Sequence, residues 1–304
     1  MRAVWSFWSK PYRAFYHRSW LDERTHLLSW ALSISEASRH YPITCLHTDA
    51  IGAELLVDRL KLPFRHVFLT LDELNVVADH EWWVLGKLAT YAAQTEPFVH
   101  LDSDVFLWKP LPARMTDAPV LAQNPERFDF EDQSLYRIDA FMCGIERFGG
   151  WVPEEWADHF ASRANRAICC GILGGRDVEL LRCYANLAME VIHRPENQPI
   201  WPTLGVRDNI LVEQYFLAAY LRFHAAGNRS ASGVHAEFLF PSSNDAFDPA
   251  AAQLAGYTHL IGDAKRNIAV AERLEQRVKR EYPKLYDVCM GQAFPSISLF
   301  NDKT

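Results

Sequence analysis

The sequence has no apolar run of the length a membrane span needs. Its first residues, Met1-Arg-Ala-Val-Trp-Ser-Phe-Trp-Ser, lack the basic-then-long-apolar pattern of a secretory leader. Cysteine is sparse: six residues (Cys45, Cys143, Cys169, Cys170, Cys183 and Cys289) show neither C-x-x-C spacing nor a compact framework. The adjacent Cys169 and Cys170 are poorly placed to pair, so reduced thiols and a cytoplasmic setting are expected. There is no excess of basic charge. Lys and Arg number 31 against 38 Asp and Glu, a formal net charge of −7, which argues against a nucleic-acid-binding face. No repeat, low-complexity tract or linker divides the chain, so one domain over residues 1–304 is the simplest organisation. The missing membrane span still leaves peripheral membrane contact open.

What is present suits a large core: 49% of residues are apolar and 13% aromatic. Aromatic rings also stack on sugars and bases, but core packing accounts for most of them. Val4 to Phe7 reads as a first strand, Arg24 to Ser38 as a helix, and Ile43 to His47 as a buried strand ending in Thr48 and Asp49. A helix from Ile51 to Leu60, a strand from His66 to Leu69 and a helix from Trp82 to Gln94 follow. A strand from Pro97 to Leu101 then runs straight into Asp102. This alternation predicts an α/β fold with a largely parallel, Rossmann-like sheet flanked by helices. Past residue 105 the pattern loosens. Strands are expected at 120–122, 167–173, 238–240 and 259–261, and helices at 177–193, 208–224 and 268–282. The C-terminal half is therefore the more irregular one.

The segment Phe98-Val-His-Leu-Asp-Ser-Asp-Val-Phe-Leu107 carries the most chemical information. In parallel α/β sheets ligands sit at the carboxyl ends of strands, and here such a strand ends in two carboxylates one residue apart. Hard oxygen ligands of this kind suit Mg²⁺ or Mn²⁺, which can bridge a diphosphate. The alternative is a pair of aspartates that only caps a turn. Their apolar flanks weigh against it, because two buried carboxylates without a cation are costly. An EF-hand is excluded, since neither its Gly nor its distant Glu follows.

Hydrophobic strand, Asp102-Ser103-Asp104, hydrophobic run and Lys109-Pro110 resemble the metal site of GT-A fold glycosyltransferases, in particular the retaining glycogenin-like and bacterial galactosyl- and glucosyltransferases. The resemblance implies a GT-A-like fold, with a nucleotide-donor half of about 1–110 and an acceptor half of about 111–304. It implies further sites. Lys87 resembles the family's lysine near the donor sugar. Tyr257-Thr-His-Leu-Ile-Gly-Asp-Ala-Lys265 contains a His-x-x-Gly-x-x-Lys motif in which His259 would be the third metal ligand, with Gly262 and Lys265 holding the diphosphate. The family continues Lys-Pro-Trp, whereas this chain has Lys265-Arg266-Asn267.

Ile168-Cys-Cys-Gly-Ile-Leu-Gly-Gly175 resembles the glycine-bearing strand of the sugar pocket, which points to Gly171. Cys169 or Cys170 stands there in place of the family's Asn. Arg207-Asp-Asn-Ile-Leu-Val-Glu-Gln214 resembles the Asp-Gln element beside the transferred sugar. It makes Asp208 or Glu213 the candidate catalytic carboxylate, although Asp208 is also a good helix cap. Trp5 and Ser6, with Trp8 and Lys10, lie where such proteins receive the nucleotide.

These matches imply a transferase that moves a sugar from a nucleotide-sugar donor, by family default a UDP-sugar, to a glycan, lipid-linked or small-molecule acceptor. Retention is the expected stereochemistry. Two other classes fit parts of the pattern. Haloacid-dehalogenase-like phosphatases also place Asp-x-Asp after a strand, and Gly262-Asp263-Ala-Lys-Arg-Asn267 imitates their later Gly-Asp-x-x-x-Asp motif but ends in Asn. A degenerate relative that only binds carbohydrate or a partner protein would have no need of the leaving-group lysine.

Overall fold

A computed structural model describes residues 1–14, 16–74, 82–132, 134–227 and 236–291. Nine strands are found among them: β1 (Arg2–Phe7), β2 (Thr44–Thr48), β3 (His66–Phe68), β4 (Phe98–Leu101), β5 (Val105–Leu107), β6 (Val120–Arg127), β7 (Arg166–Gly175), β8 (Ala236–Phe238) and β9 (Tyr257–His259). Seven of them form one sheet in the order β3-β2-β1-β4-β7-β6-β8. The first four run parallel, β7 is antiparallel to both β4 and β6, and β8 returns parallel to β6. The expected mixed α/β fold with a mostly parallel central sheet is therefore present. The remaining pair, β5 and β9, forms a separate antiparallel ladder.

Helices cover both faces of the sheet, so its inner strands are apolar nearly throughout. Side chains alternate between two cores, as the pleat requires. Val4 and Phe98 join Leu85, Leu88 and Tyr91 on one side, while Ala3, Trp5 and Phe7 meet Leu27, Leu28 and Ile34 on the other. The helix Glu23–Ala37 starts where Asp22 accepts a hydrogen bond from the Thr25 amide at 2.6 Å. It is buried almost all round because β5 and the helix Ile268–Glu281 pack over its outer face. The sheet lies under it, where Trp5 Nε1 donates to Ser33 Oγ at 3.0 Å.

Several elements differ from the sequence expectation. The second helix is α-helical only over Ala50–Ala53 and continues as a π-helical turn over Glu54–Arg59. β6 runs past residue 122 to Arg127 through a bulge between Ala122 and Asn124. The expected helix 208–224 is broken into a 3₁₀ turn (Val206–Asp208), a π-helical turn (Leu211–Tyr215) and an α-helix (Phe216–Gly227). The helices Ile138–Phe148 and Glu154–Ala161 had no counterpart in the sequence reading. All six cysteines are free thiols. Among the described residues, no helix is long and apolar enough to cross a membrane.

Candidate functional site

β4 delivers Asp102 to the carboxyl end of the sheet, where its amide donates to Gly171 O at 3.0 Å. The chain turns at once, with Val105 N donating to Asp102 O at 3.0 Å, so both carboxylates face the same side. Ser29, on the helix above, donates to Ser103 O at 2.7 Å and holds the turn down. β5 then pairs with β9 in a register that sets Val105 opposite His259. The next residue, Leu260, donates from its amide to Asp104 O at 3.0 Å.

That register brings the far end of the chain onto the aspartate turn. His259 Nε2 lies 3.6 Å from Asp104 Oδ1, and Lys265 Nζ lies 2.5 Å from Asp104 Oδ2. Gly262 bends the intervening segment with φ of +56°, a conformation that favours glycine. One ligand atom from each of Asp102, Asp104 and His259 can be chosen so that all lie within 4.8 Å of one another. Two carboxylate oxygens and an imidazole nitrogen form a group that could hold a divalent cation.

The imidazole is held in one tautomer. Gln123 Oε1, a pure acceptor, takes hydrogen bonds from Tyr257 OH at 2.6 Å and from His259 Nδ1 at 2.8 Å. The proton therefore sits on Nδ1, and the Nε2 lone pair faces the carboxylates. Gly171 makes room for this contact: a β-carbon there would lie 2.3 Å from Gln123 Oε1 and 2.5 Å from the His259 ring. The glycine expected beside a ligand is thus packed against the ring that points at the carboxylates. Gln123 and Tyr257 escaped the sequence reading. Gln123 follows the apolar residues 120–122 but is itself followed by Asn124, Glu126 and Arg127, so nothing local marks it.

A buried lysine balances the other aspartate. Lys87 Nζ lies 3.0 Å from Asp102 Oδ1 and 2.8 Å from Glu213 Oε1, and it donates to Cys170 O at 3.2 Å. Burial works against its charge, yet Asp102 and Glu213 outweigh this and hold the ammonium well above its usual range. Burial pushes the Asp102 carboxyl up to about 6, against Lys87 and with Asp104 and Glu213 adding to the rise. Asp104 moves the other way. Burial opposes its charge, but Lys265 and His259 prevail and keep it below the ordinary carboxylate range.

Next to these groups opens a cleft lined by Lys87, Asp102, Asp104 and Lys265 together with the rings of Trp8, Tyr12, His26, Trp30 and Trp83. It lies beyond the ends of β1 and β4, where the parallel-sheet rule places a ligand. Ser6 reaches it and makes a 2.9 Å hydrogen bond with His100 Nε2. Ser103 also lines it.

Trp5 stays in the core, fully buried and 5.7 Å edge-on to Phe64, while Trp8 lines the cleft. Asp208 lies in a different cluster. It receives two hydrogen bonds from the Arg137 guanidinium and one from Gly205 N, the latter at 2.6 Å. Glu213, carried by the π-helical turn, also accepts from Tyr91 OH at 3.0 Å beneath Lys87. Asp263 is exposed on the 3₁₀ turn Gly262–Arg266, and Asn267 caps the following helix by accepting from Val270 N at 3.2 Å.

No curated protein matches this chain. Residues 1–291 match the model of a family of unknown function, DUF6734, and the chain belongs to that family.

Proposed function

We propose that this protein is a metal-dependent glycosyltransferase that holds the diphosphate of a nucleotide-sugar, by resemblance a UDP-sugar, against the aspartate turn. The observation that carries the proposal is the convergence of Asp102, Asp104, His259 and Lys265 at the mouth of one aromatic-walled cleft. A Mn²⁺ or Mg²⁺ ion held by Asp102, Asp104 and His259 would supply positive charge to the donor's diphosphate.

The protein's own groups do the rest. Lys265 stands where its ammonium can stabilise the charge on a departing nucleoside diphosphate. Lys87 is pinned from below by Glu213, which keeps a second cation beside Asp102. The aromatic rings offer flat surfaces to the donor.

Retention fits this arrangement better than inversion. Among the described residues that line the cleft, the only carboxylates are Asp102 and Asp104. Asp208 is engaged by Arg137 and Glu213 by Lys87, so among the described residues neither is free to act as an inverting base, and in the retaining reading the leaving phosphate takes the acceptor's proton. The phosphatase alternative loses support, because Asn267 serves as a helix cap and Asp263 is exposed.

The test is incubation with UDP-sugars and Mn²⁺, following release of UDP and the anomeric configuration of the product by NMR. Metal-dependent release that disappears in an Asp102→Ala/Asp104→Ala variant is expected. Hydrolysis of simple phosphomonoesters without turnover of any nucleotide-sugar would overturn the proposal.

A further inference from the structure

His26 is 3% exposed and lines the cleft. Its Nε2 accepts a hydrogen bond from Trp30 Nε1 at 3.0 Å, and an indole N–H can only donate. Nε2 therefore carries the lone pair and Nδ1 the proton. Burial, with Lys265 adding to it, pushes the imidazole down to about 3, so the ring stays neutral in this tautomer. Tyr12 stacks on the ring at 4.8 Å and Trp20 packs at 5.3 Å. Yet Nδ1 has no hydrogen-bond partner among the described residues. A buried donor without an acceptor is costly. The ring borders the cleft, and because Nδ1 itself is shielded from solvent, a ligand oxygen reaches it only as the Tyr12 or Trp20 ring beside it gives way.

The surroundings identify the acceptor. Lys265 Nζ lies 5.6 Å from the centre of the Trp20 ring, which itself packs against His26, so ammonium and imidazole share one aromatic support. His26 is also one helical turn before Ser29, which holds the Asp102–Asp104 turn through Ser103 O. A neutral N–H placed beside a cation and next to the diphosphate end of the cleft suits an oxyanion. We infer that His26 Nδ1–H donates a hydrogen bond to a phosphate oxygen of the donor's nucleoside diphosphate. The inference rests on the transferase reading and adds to it a neutral ligand-binding residue outside the motifs that suggested that reading.

Calorimetric titration with UDP, pyrophosphate and uridine in the presence of Mn²⁺ tests it on the wild type, His26→Phe and His26→Gln. Phe keeps the aromatic packing and removes the N–H, whereas Gln can accept from Trp30 and donate to the ligand. The expected result is a loss of roughly 10- to 100-fold for UDP and pyrophosphate in His26→Phe, little change for uridine, and recovery of most of the loss in His26→Gln. Should the Phe variant fail to fold, ¹⁵N-histidine NMR of the wild type gives the same answer. The Nδ1 resonance should be of the protonated type and move on adding UDP and Mg²⁺, and an unmoved resonance in a UDP-bound protein overturns the inference. So does wild-type affinity of a folded His26→Phe for UDP, which leaves the transferase reading intact. An equal loss for uridine would transfer the contact to the nucleoside and also overturn it. A wild type that binds neither UDP nor pyrophosphate brings down the transferase reading itself.

Discussion

Val105 and His259 stand directly opposite each other in the β5–β9 ladder, and this single register sets the His259 imidazole 3.6 Å from Asp104. A slip of one residue would turn His259 to the other face of the ladder and remove it from the carboxylates. The site therefore depends on pairing between segments far apart in the sequence, with Gln123 of β6 fixing the imidazole's orientation.

Gln123→Leu should weaken Mn²⁺ binding by about 10- to 100-fold, because the His259 proton is then free to move to Nε2 and the ring to rotate. Mn²⁺ titration followed by electron paramagnetic resonance measures this. Unchanged affinity would show that Gln123 does not orient a ligand.

Gly171→Ala places a methyl group 2.3 Å from Gln123 Oε1 and against the His259 ring. Overpacking of this kind costs about 1–3 kcal/mol, so the urea midpoint should fall together with Mn²⁺ affinity. A variant with both quantities intact would contradict the tight packing described for this strand.

Lys87→Met leaves Glu213 buried at 0% exposure without its cation, which should destabilise the fold by about 3–5 kcal/mol. Adding Glu213→Gln should recover much of that loss, since the uncompensated charge is gone. Urea denaturation of the wild type, both single variants and the double variant closes the cycle. Simple additivity of the two changes would mean that the pair does not interact.

His47 lies away from the cleft and sets part of the protein's acid sensitivity. Gln94 Nε2 donates to its Nε2 at 3.0 Å, so Nδ1 carries the proton towards Thr70. Burial, with Arg2 assisting, pushes the ring down from 6.5 to about 4. A depressed histidine contributes stability that is complete above the unfolded value of 6.5 and is lost as pH falls towards 4. The expected loss is on the order of 3 kcal/mol. His47→Gln should flatten the pH dependence of the urea midpoint by that amount between pH 7 and about 4, because other histidines titrate in both proteins and cancel. Identical pH profiles would rule this out.

Much of this site was legible because its chemistry is local in sequence. Asp102 and Asp104 follow a run of apolar strand residues, and His259, Gly262 and Lys265 form one short motif. The parallel half of the sheet was legible for a similar reason, since each strand there alternates with a helix of recognisable period. What escaped reading depends on contacts across the fold. Gln123 has no neighbours in sequence that mark it, and its role appears only when β6, β7 and β9 are brought together. Asp208 matched a motif by spacing, but Arg137 engages its carboxylate, and such a partner is invisible to spacing. The helix over 208–224 is broken by tertiary demand: the π-helical turn places Glu213 on Lys87, which propensity alone does not anticipate.

In the proposed function, Asp102, Asp104 and His259 bind a cation that in turn binds a nucleoside diphosphate. Calorimetric titration with UDP, with and without Mn²⁺, on the wild type and on Asp102→Ala/Asp104→Ala tests it most directly. Binding should require Mn²⁺ and vanish in the double variant. Absence of Mn²⁺-dependent binding for UDP, and then for GDP, CMP and dTDP, in a folded wild-type protein would contradict it.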